Sequence, residues 1–261
     1  MRRLTIAICI MTAVTSNLSS TQIVTNNVLT RVFQIRYAGQ LGTAFTLDVD
    51  NRQYLITARH VVENIGAEGE IELRREEGWH KIKVRSIEVK PAKVDIAVLA
   101  PSVVVSPSLP LAAGMDGLYV SQQVAFVGFP YGMISGASGV NLGYPIAFVK
   151  HGVCAAFDVH DRDAPSLWVD AHNNRGFSGG PVVFTNKATN GLTVAGVVSG
   201  FRHEEEPVFE NGKKTKATIR ENTGLLFAYS IDAAVRAIKA NPIGVQIEEP
   251  HSQAAAADPG P

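Results

Sequence analysis

Cysteine is scarce in this chain, and neither sign of charge is in excess. Only Cys9 and Cys154 occur among 261 residues, so no disulfide framework is available and the fold depends on a buried apolar core. Basic and acidic residues number 24 each, which provides no overall attraction to nucleic acid or to anionic membranes. No segment is long and apolar enough to predict a transmembrane helix. The sequence also lacks metal-spaced Cys/His clusters and phosphate-binding loops, so we expect no metal and no cofactor.

Glycine, proline and β-forming residues are plentiful. The 23 glycines and 13 prolines separate short runs rich in Val, Ile, Thr and Phe, a pattern typical of strands joined by tight turns. With 46% hydrophobic residues, the chain can bury a substantial core as one two-lobed unit or as two small domains. Apolar residues at positions 231, 234, 235 and 238 have helical spacing, which predicts a short helix near the C-terminal end.

A serine surrounded by glycines is the most informative feature of the chain. Residues 176–181 read GFSGGP, with Ser178 between Gly176 and Gly179. Glycines allow backbone N–H groups to converge on a ligand, and the N–H groups of Gly176 and Ser178 are candidates for stabilising an oxyanion. Because a hydroxyl alone is a weak nucleophile, such a serine needs a histidine base and a group that orients the histidine.

Two further segments supply those partners in a familiar order. The sequence LITARHVV at residues 55–62 contains His60, and VDIAVL at residues 94–99 contains Asp95. Together with GFSGGP they resemble the histidine, aspartate and serine motifs of trypsin/chymotrypsin-like serine proteases. The order His, Asp, Ser agrees with that family and differs from subtilisin-like and α/β-hydrolase enzymes. The scarcity of cysteine is closer to bacterial trypsin-like and HtrA-type proteases than to the disulfide-rich animal enzymes.

The resemblance implies an all-β fold of two six-stranded antiparallel β-barrels, followed by the short helix. It covers residues 28–240, with lobe one at about 28–110 and lobe two at about 117–240. Residues 241–261 are expected to be a disordered tail, which leaves no room after residue 240 for the peptide-binding PDZ domain that HtrA-type proteases usually carry. Residues 1–27 are predicted to be a signal peptide or a disordered extension. A charged start and an apolar stretch favour export to the periplasm or outside over the cytoplasm, but no clear cleavage site follows.

The resemblance also assigns roles to single residues. Ser178 is expected to be the nucleophile, His60 the general base, and Asp95 the group that orients His60. Gly176 and Ser178 would form the oxyanion hole, and Ser199 would support the triad by a hydrogen bond to Asp95. The specificity pocket is expected to include His172, Ser199 and Gly200.

Each of these residues also has an ordinary structural interpretation. Ser178 is in the kind of segment where turn serines occur, His60 is flanked by apolar residues, and Asp95 precedes an apolar strand as capping residues often do. Ser199 has the alternative of a turn hydroxyl, and His172 that of a plain loop histidine.

We therefore predict a serine endopeptidase that acts on protein or peptide substrates. A catalytically silent scaffold with a protease fold and an esterase-like hydrolase with the same triad remain alternatives. Phe177 departs from the family, because trypsin-like zymogens carry at this position an aspartate that pairs with a newly cut N-terminus. Activation by that ion pair is not expected here. The sequence leaves the oligomeric state and the natural substrate open.

Overall fold

The computed structural model describes residues 24–136 and 141–247. The expectations for residues 1–23 and 248–261, which include the signal peptide and most of the tail, lie outside the described residues. A short helix, α1 (Asn26–Leu29), begins the described chain.

Six antiparallel strands form a first closed barrel. They are β1 (Val32–Tyr37), β2 (Gln40–Val49), β3 (Arg52–Thr57), β4 (Glu68–Arg75), β5 (Gly78–Ile87) and β6 (Ala97–Pro101). Pairing of β3 with β6 closes the ring. On β5 the side chains alternate as a barrel wall requires: Val84 is buried, and Lys83 and Arg85 on either side of it are exposed.

A second ring of six antiparallel strands follows a short parallel strand, β7 (Ala112–Ala113). Its members are β8 (Gln123–Gly128), β9 (Phe148–Asp158), β10 (Ser166–Asp170), β11 (Pro181–Asn186), β12 (Gly191–Glu210) and β13 (Lys213–Ser230). Pairing of β11 with β12 closes this ring. The helix α2 (Asp232–Ala240) and the edge strand β14 (Val245–Gln246) complete the described chain. The expectation of a disordered tail is wrong for residues 241–247, because β14 pairs with β3 of the first barrel. The predicted all-β double barrel with a C-terminal helix is confirmed.

The two barrels share an apolar core. One buried cluster contains Phe45 and Ile56 from the first barrel together with Val127 and Val183 from the second. Ile238 of α2 belongs to the same cluster, so the helix packs its apolar face where the barrels meet, as its residue spacing predicts. This shared core holds the first-barrel and second-barrel segments described below in fixed relation.

The outer parts of β12 and β13 extend as a two-stranded ribbon, residues 203–222. The ribbon extends from His203 opposite Asn222 to Glu210 opposite Lys213, and its register shifts once, between Pro207 and Phe209. Most of its side chains are exposed. Among the described residues no helix is long and apolar enough to cross a membrane.

Candidate active site

His60 and Asp95 meet because two paired strands end at the same edge of the first barrel. Thr57, the last residue of β3, is paired with Ala97, the first residue of β6. His60 follows in a 3-10 turn at Arg59–Val62, and Asp95 lies two residues before β6. The backbone N–H of His60 donates to Asp95 Oδ1 at 2.9 Å, and His60 Nδ1 lies 2.7 Å from Asp95 Oδ2. Two contacts to one carboxylate fix both the backbone and the ring of His60.

Ser199 adds a third hydrogen bond to the same carboxylate. Its hydroxyl donates to Asp95 Oδ2 at 2.6 Å, which is the contact expected from the sequence. Burial acts to raise the pKa of Asp95, but the hydrogen bonds from His60 and Ser199 outweigh burial and hold the pKa below its usual value. Asp95 is therefore ionised at neutral pH, and its carboxylate accepts a hydrogen bond from the Nδ1–H group of His60.

Arg59, directly before the histidine, braces the segment that leads to Asp95. Its guanidinium donates to the carbonyls of Val89 and Ala92 at 2.7 and 2.8 Å. The side chain thus ties the histidine turn to the chain a few residues before the aspartate. Nothing in the sequence pattern indicated this contact.

Ser178 lies in a loop that is hydrogen-bonded to both barrels. The N–H of Thr43, in the first barrel, donates to the carbonyl of Ser178 at 2.9 Å, and the N–H of Gly179 donates to Val198 of the second barrel at 2.7 Å. Position 179 must be glycine here, because a Cβ would lie 2.1 Å from the Thr43 carbonyl oxygen and φ is +85°. The close approach of two backbones explains the Gly-Gly pair.

The hydroxyl of Ser178 points to the carbonyl of Ser199. The Oγ–O distance is 3.3 Å, which is long for a hydroxyl donor. Among the described residues no hydrogen bond joins Ser178 to His60, although both line one cleft of about 790 Å³. The structure thus brings His60, Asp95 and Ser199 into direct contact, and it brings Ser178 to the same cleft with its hydroxyl turned to a neighbouring backbone oxygen.

The backbone N–H groups of Gly176 and Ser178 were predicted to bind an oxyanion, and neither has an acceptor among the described residues. The Arg175 carbonyl accepts from the N–H of Tyr131 at 2.7 Å. The Arg175 C=O and the Gly176 N–H belong to one trans peptide group and point to opposite sides of it. The Gly176 N–H therefore points away from Tyr131. Among the described residues, neither this N–H nor that of Ser178 donates a hydrogen bond. The candidate nucleophile and the glycine two residues before it thus each have a backbone N–H without an acceptor.

Phe177, which replaces the aspartate of the zymogen-type enzymes, is an apolar anchor. Its side chain is fully buried in the core of the second barrel, with its ring 4.9 Å from that of Phe126 in an edge-to-face arrangement. The loop that carries Ser178 is therefore held at this point by packing.

The three residues predicted for the specificity pocket line the cleft that contains Ser178. His172, Ser199 and Gly200 all belong to its wall. The loop before the nucleophile is fixed by amides: Asn173 donates to the Gly200 carbonyl at 3.2 Å, and Asn222 donates to the Asn173 carbonyl at 2.7 Å.

Lys150 of β9 supports the same loop from behind. Its ammonium donates to the His172 carbonyl and to Asn174 Oδ1, and burial lowers its pKa. Lys150, Asn173 and Asn222 were not predicted as site residues from the sequence. No motif marks them, since their roles depend on strands that are distant along the chain.

Other nucleophilic or metal-binding groups do not compete with this cleft. Cys154 is buried in the second barrel, and burial raises the pKa of its thiol to about 11, so it stays protonated near neutral pH. Within residues 24–136 and 141–247 no group of three or more His, Cys, Asp or Glu residues could hold a metal ion.

The double barrel with this cleft defines the chymotrypsin-like class of fold. Residues 42–192 match the model of the trypsin-like peptidase domain, which is more than half of the chain. The chain therefore belongs to the trypsin-like peptidase family, and it is a hydrolase of the serine peptidase class. No curated protein sequence matches it.

Solved structures of proteases share the fold. An inactive form of the Rv3671c protease is 18% identical with a TM-score of 0.51, over 82% of this chain and 90% of that one. An inactive-form mutant of Rv3671c from M. tuberculosis H37Rv is 17% identical with a TM-score of 0.51, over 82% and 87%. The HtrA-type protease AlgW with a tripeptide is 18% identical with a TM-score of 0.53, over 83% of this chain and 61% of that one. At these identities the likeness concerns the fold alone.

Proposed function

We propose that this chain is a serine endopeptidase in which Ser178, His60 and Asp95 form a catalytic triad. The observation that carries the proposal is the shared carboxylate of Asp95, which holds His60 by two hydrogen bonds beside a cleft that also contains Ser178. The unused N–H groups of Gly176 and Ser178 support the same assignment. Roles in substrate binding for His172, Ser199 and Gly200 are part of the proposal.

The first half of the reaction forms an acyl-enzyme. The Ser178 hydroxyl leaves its long contact with the Ser199 carbonyl and turns to His60 Nε2, which takes its proton as Oγ bonds to the scissile carbonyl carbon. Charge develops on the carbonyl oxygen, where the N–H groups of Gly176 and Ser178 donate hydrogen bonds. His60 then gives the proton to the leaving nitrogen as the C–N bond breaks.

The second half reverses the roles of the groups. A water loses a proton to His60 and bonds to the acyl carbon, and the Oγ–C bond breaks as the proton returns to Ser178. In both halves the ionised Asp95 stabilises the imidazolium and keeps the proton of neutral His60 on Nδ1, so that Nε2 is free to act as the base.

The test compares wild-type protein with Ser178→Ala on unfolded casein and on a short ester. Ser102→Ala is the matched control, because Ser102 is an exposed serine at the end of β6 and does not line the cleft. We expect casein cleavage by wild type and by Ser102→Ala, with a loss of at least 10³-fold in Ser178→Ala. Circular dichroism of all three proteins shows that they are folded.

Three other results would overturn the proposal. Turnover of the ester without casein cleavage would indicate an esterase-like hydrolase. Absence of both activities, together with no labelling by a fluorophosphonate at pH 8, would indicate a silent scaffold. Equal cleavage by Ser178→Ala would exclude Ser178 as the nucleophile.

A further inference from the structure

The cleft around Ser178 is lined by basic and neutral side chains only. The whole chain carries equal numbers of basic and acidic residues. Among the described residues, however, no aspartate or glutamate belongs to the cleft wall, which contains two arginines and three histidines: Arg175, Arg220, His60, His172 and His203. An imbalance of this kind in a concave site raises the local concentration of anionic groups.

Three of these side chains gather where the predicted specificity pocket lies. His172 belongs to the loop before the nucleophile, and His203 and Arg220 come from the ribbon of residues 203–222. In the ribbon, His203 is paired with Asn222 and Glu205 with Arg220. Because side chains two residues apart point to the same face of a strand, His203, Glu205, Arg220 and Asn222 share one face. All of them except Glu205 line the cleft.

The base of the ribbon is fixed to the pocket loop. Asn222 donates to the Asn173 carbonyl at 2.7 Å, and Asn173, only 1% exposed, donates in turn to the Gly200 carbonyl. The amides of Asn173 and Asn222 are occupied by the backbone. The exposed side chains of His172, His203 and Arg220 are not held in this way and can meet a substrate.

The pocket wall is open at Gly200, and a further cation, Lys150, contacts the pocket loop. A Cβ built on Gly200 meets nothing within 4 Å, so the wall at this point is open. The ammonium of Lys150 lies behind the loop, on the carbonyl of His172. A substrate carboxylate in this pocket could accept hydrogen bonds from His172 and Arg220, and the charge of Lys150 lies on the far side of the His172 loop.

Glu205, the acidic residue on that face of the ribbon, forms only a weak ion pair with Arg220. Glu205 Oε1 lies 3.8 Å from Arg220 Nε, and both side chains are well exposed. An exposed pair at this distance contributes little and exchanges readily. Arg220 is therefore available to a substrate carboxylate, with which a shorter, charge-assisted hydrogen bond is possible.

We propose that this peptidase selects substrates with an acidic side chain, glutamate or aspartate, on the residue whose carbonyl is attacked, and that Arg220 and His172 are specificity-determining residues. The inference rests on the proposed function and names its substrate class. The same charges disfavour lysine and arginine at that position.

The experiment uses four fluorogenic peptides that differ only in this residue: glutamate, glutamine, leucine or lysine. We expect kcat/KM for the glutamate peptide to exceed that for the glutamine peptide by about 10- to 100-fold, the range for a charged hydrogen bond. Arg220→Gln should reduce this ratio about ten-fold. Arg220→Glu should favour the lysine peptide over the glutamate peptide.

Arg202→Gln is the matched control. Arg202 is an exposed arginine next to the ribbon that also lies 3.8 Å from a glutamate, Glu204, but it does not line the cleft. Its substitution should leave the glutamate-to-glutamine ratio unchanged. A general effect of surface charge would instead lower the ratio equally in both variants, and this result would overturn the assignment of Arg220.

Fluorophosphonate labelling of Ser178 distinguishes failure of the inferred acidic preference from failure of the proposed peptidase function. Labelling together with a preference for leucine or lysine, or with equal use of all four peptides, overturns the inference and leaves the peptidase proposal standing. Absence of labelling and of cleavage of any peptide overturns the proposed function, and the inference fails with it.

Discussion

Replacement of Asp95 by asparagine changes a single atom at the centre of the candidate triad. In the wild type, Oδ1 accepts from the backbone N–H of His60 at 2.9 Å, while Oδ2 accepts from His60 Nδ1 and Ser199 Oγ at 2.7 and 2.6 Å. An amide nitrogen in the Oδ1 position would place two hydrogen-bond donors against each other, because the backbone N–H of His60 is fixed there. The amide oxygen therefore takes that position and the amide nitrogen faces Nδ1.

His60 must then accept at Nδ1 and carry its proton on Nε2. In this tautomer the ring has no lone pair for the proton of Ser178, so the general base is lost. The expected fall in kcat is about 10⁴-fold, or about 5.5 kcal/mol in activation free energy. Ser199→Ala removes only one donor and keeps the carboxylate, so its kcat should fall about ten-fold.

The assay is steady-state cleavage of one fluorogenic peptide by the three proteins, with thermal unfolding as the check on folding. An Asp95→Asn protein that is folded and within ten-fold of the wild-type kcat would refute this reasoning. So would a larger loss in Ser199→Ala than in Asp95→Asn.

Three other perturbations follow from the same geometry. Gly176→Ala places a Cβ 2.1 Å from a backbone oxygen at φ +102°. We expect kcat for the peptide to fall 10²- to 10³-fold, because the N–H of residue 176, a proposed oxyanion donor, moves. The control Gly212→Ala, at the open ribbon tip, should leave kcat unchanged. Lys150→Met removes the ammonium behind the His172 carbonyl, and we expect kcat/KM for the same peptide to fall about ten-fold, mainly through KM, while an unchanged KM would argue against a positioning role. The pKa of Asp95 lies below its usual value in the folded state, so its contribution to the free energy of unfolding is fully present above about pH 4 and is lost as pH falls through the folded pKa. The difference in urea unfolding between wild type and Asp95→Asn at pH 7 should therefore shrink as the pH is lowered below about 4.

The local part of the site was predictable from the sequence because it depends on short motifs at strand ends. The glycines around Ser178 reflect a close backbone approach that few other residues allow, and VDIAVL combines a strand with an aspartate at its start. The contact of Ser199 with Asp95 followed from the family resemblance, and the structure has it at 2.6 Å. Alternation of apolar and polar residues likewise indicated the barrel strands.

The supporting contacts were not predictable, because they join segments that are far apart and carry no motif. Lys150 reaches the loop of His172 only because β9 passes behind it. Asn222 reaches Asn173 only through the register of β12 and β13, which shifts at three points. The orientation of the Ser178 hydroxyl is a choice between staggered rotamers, which no sequence pattern encodes. The domain limits at residues 28 and 240 stay predictions.

The central claim is that Ser178 is the nucleophile and that His60 activates it. Its most direct measurement is the mass of the protein after reaction with a fluorophosphonate, followed by location of the adduct in a proteolytic digest. We predict one adduct per chain on Ser178, formed at least 10³-fold more slowly in His60→Ala. An adduct on another residue, or labelling of His60→Ala at the wild-type rate, would contradict the account.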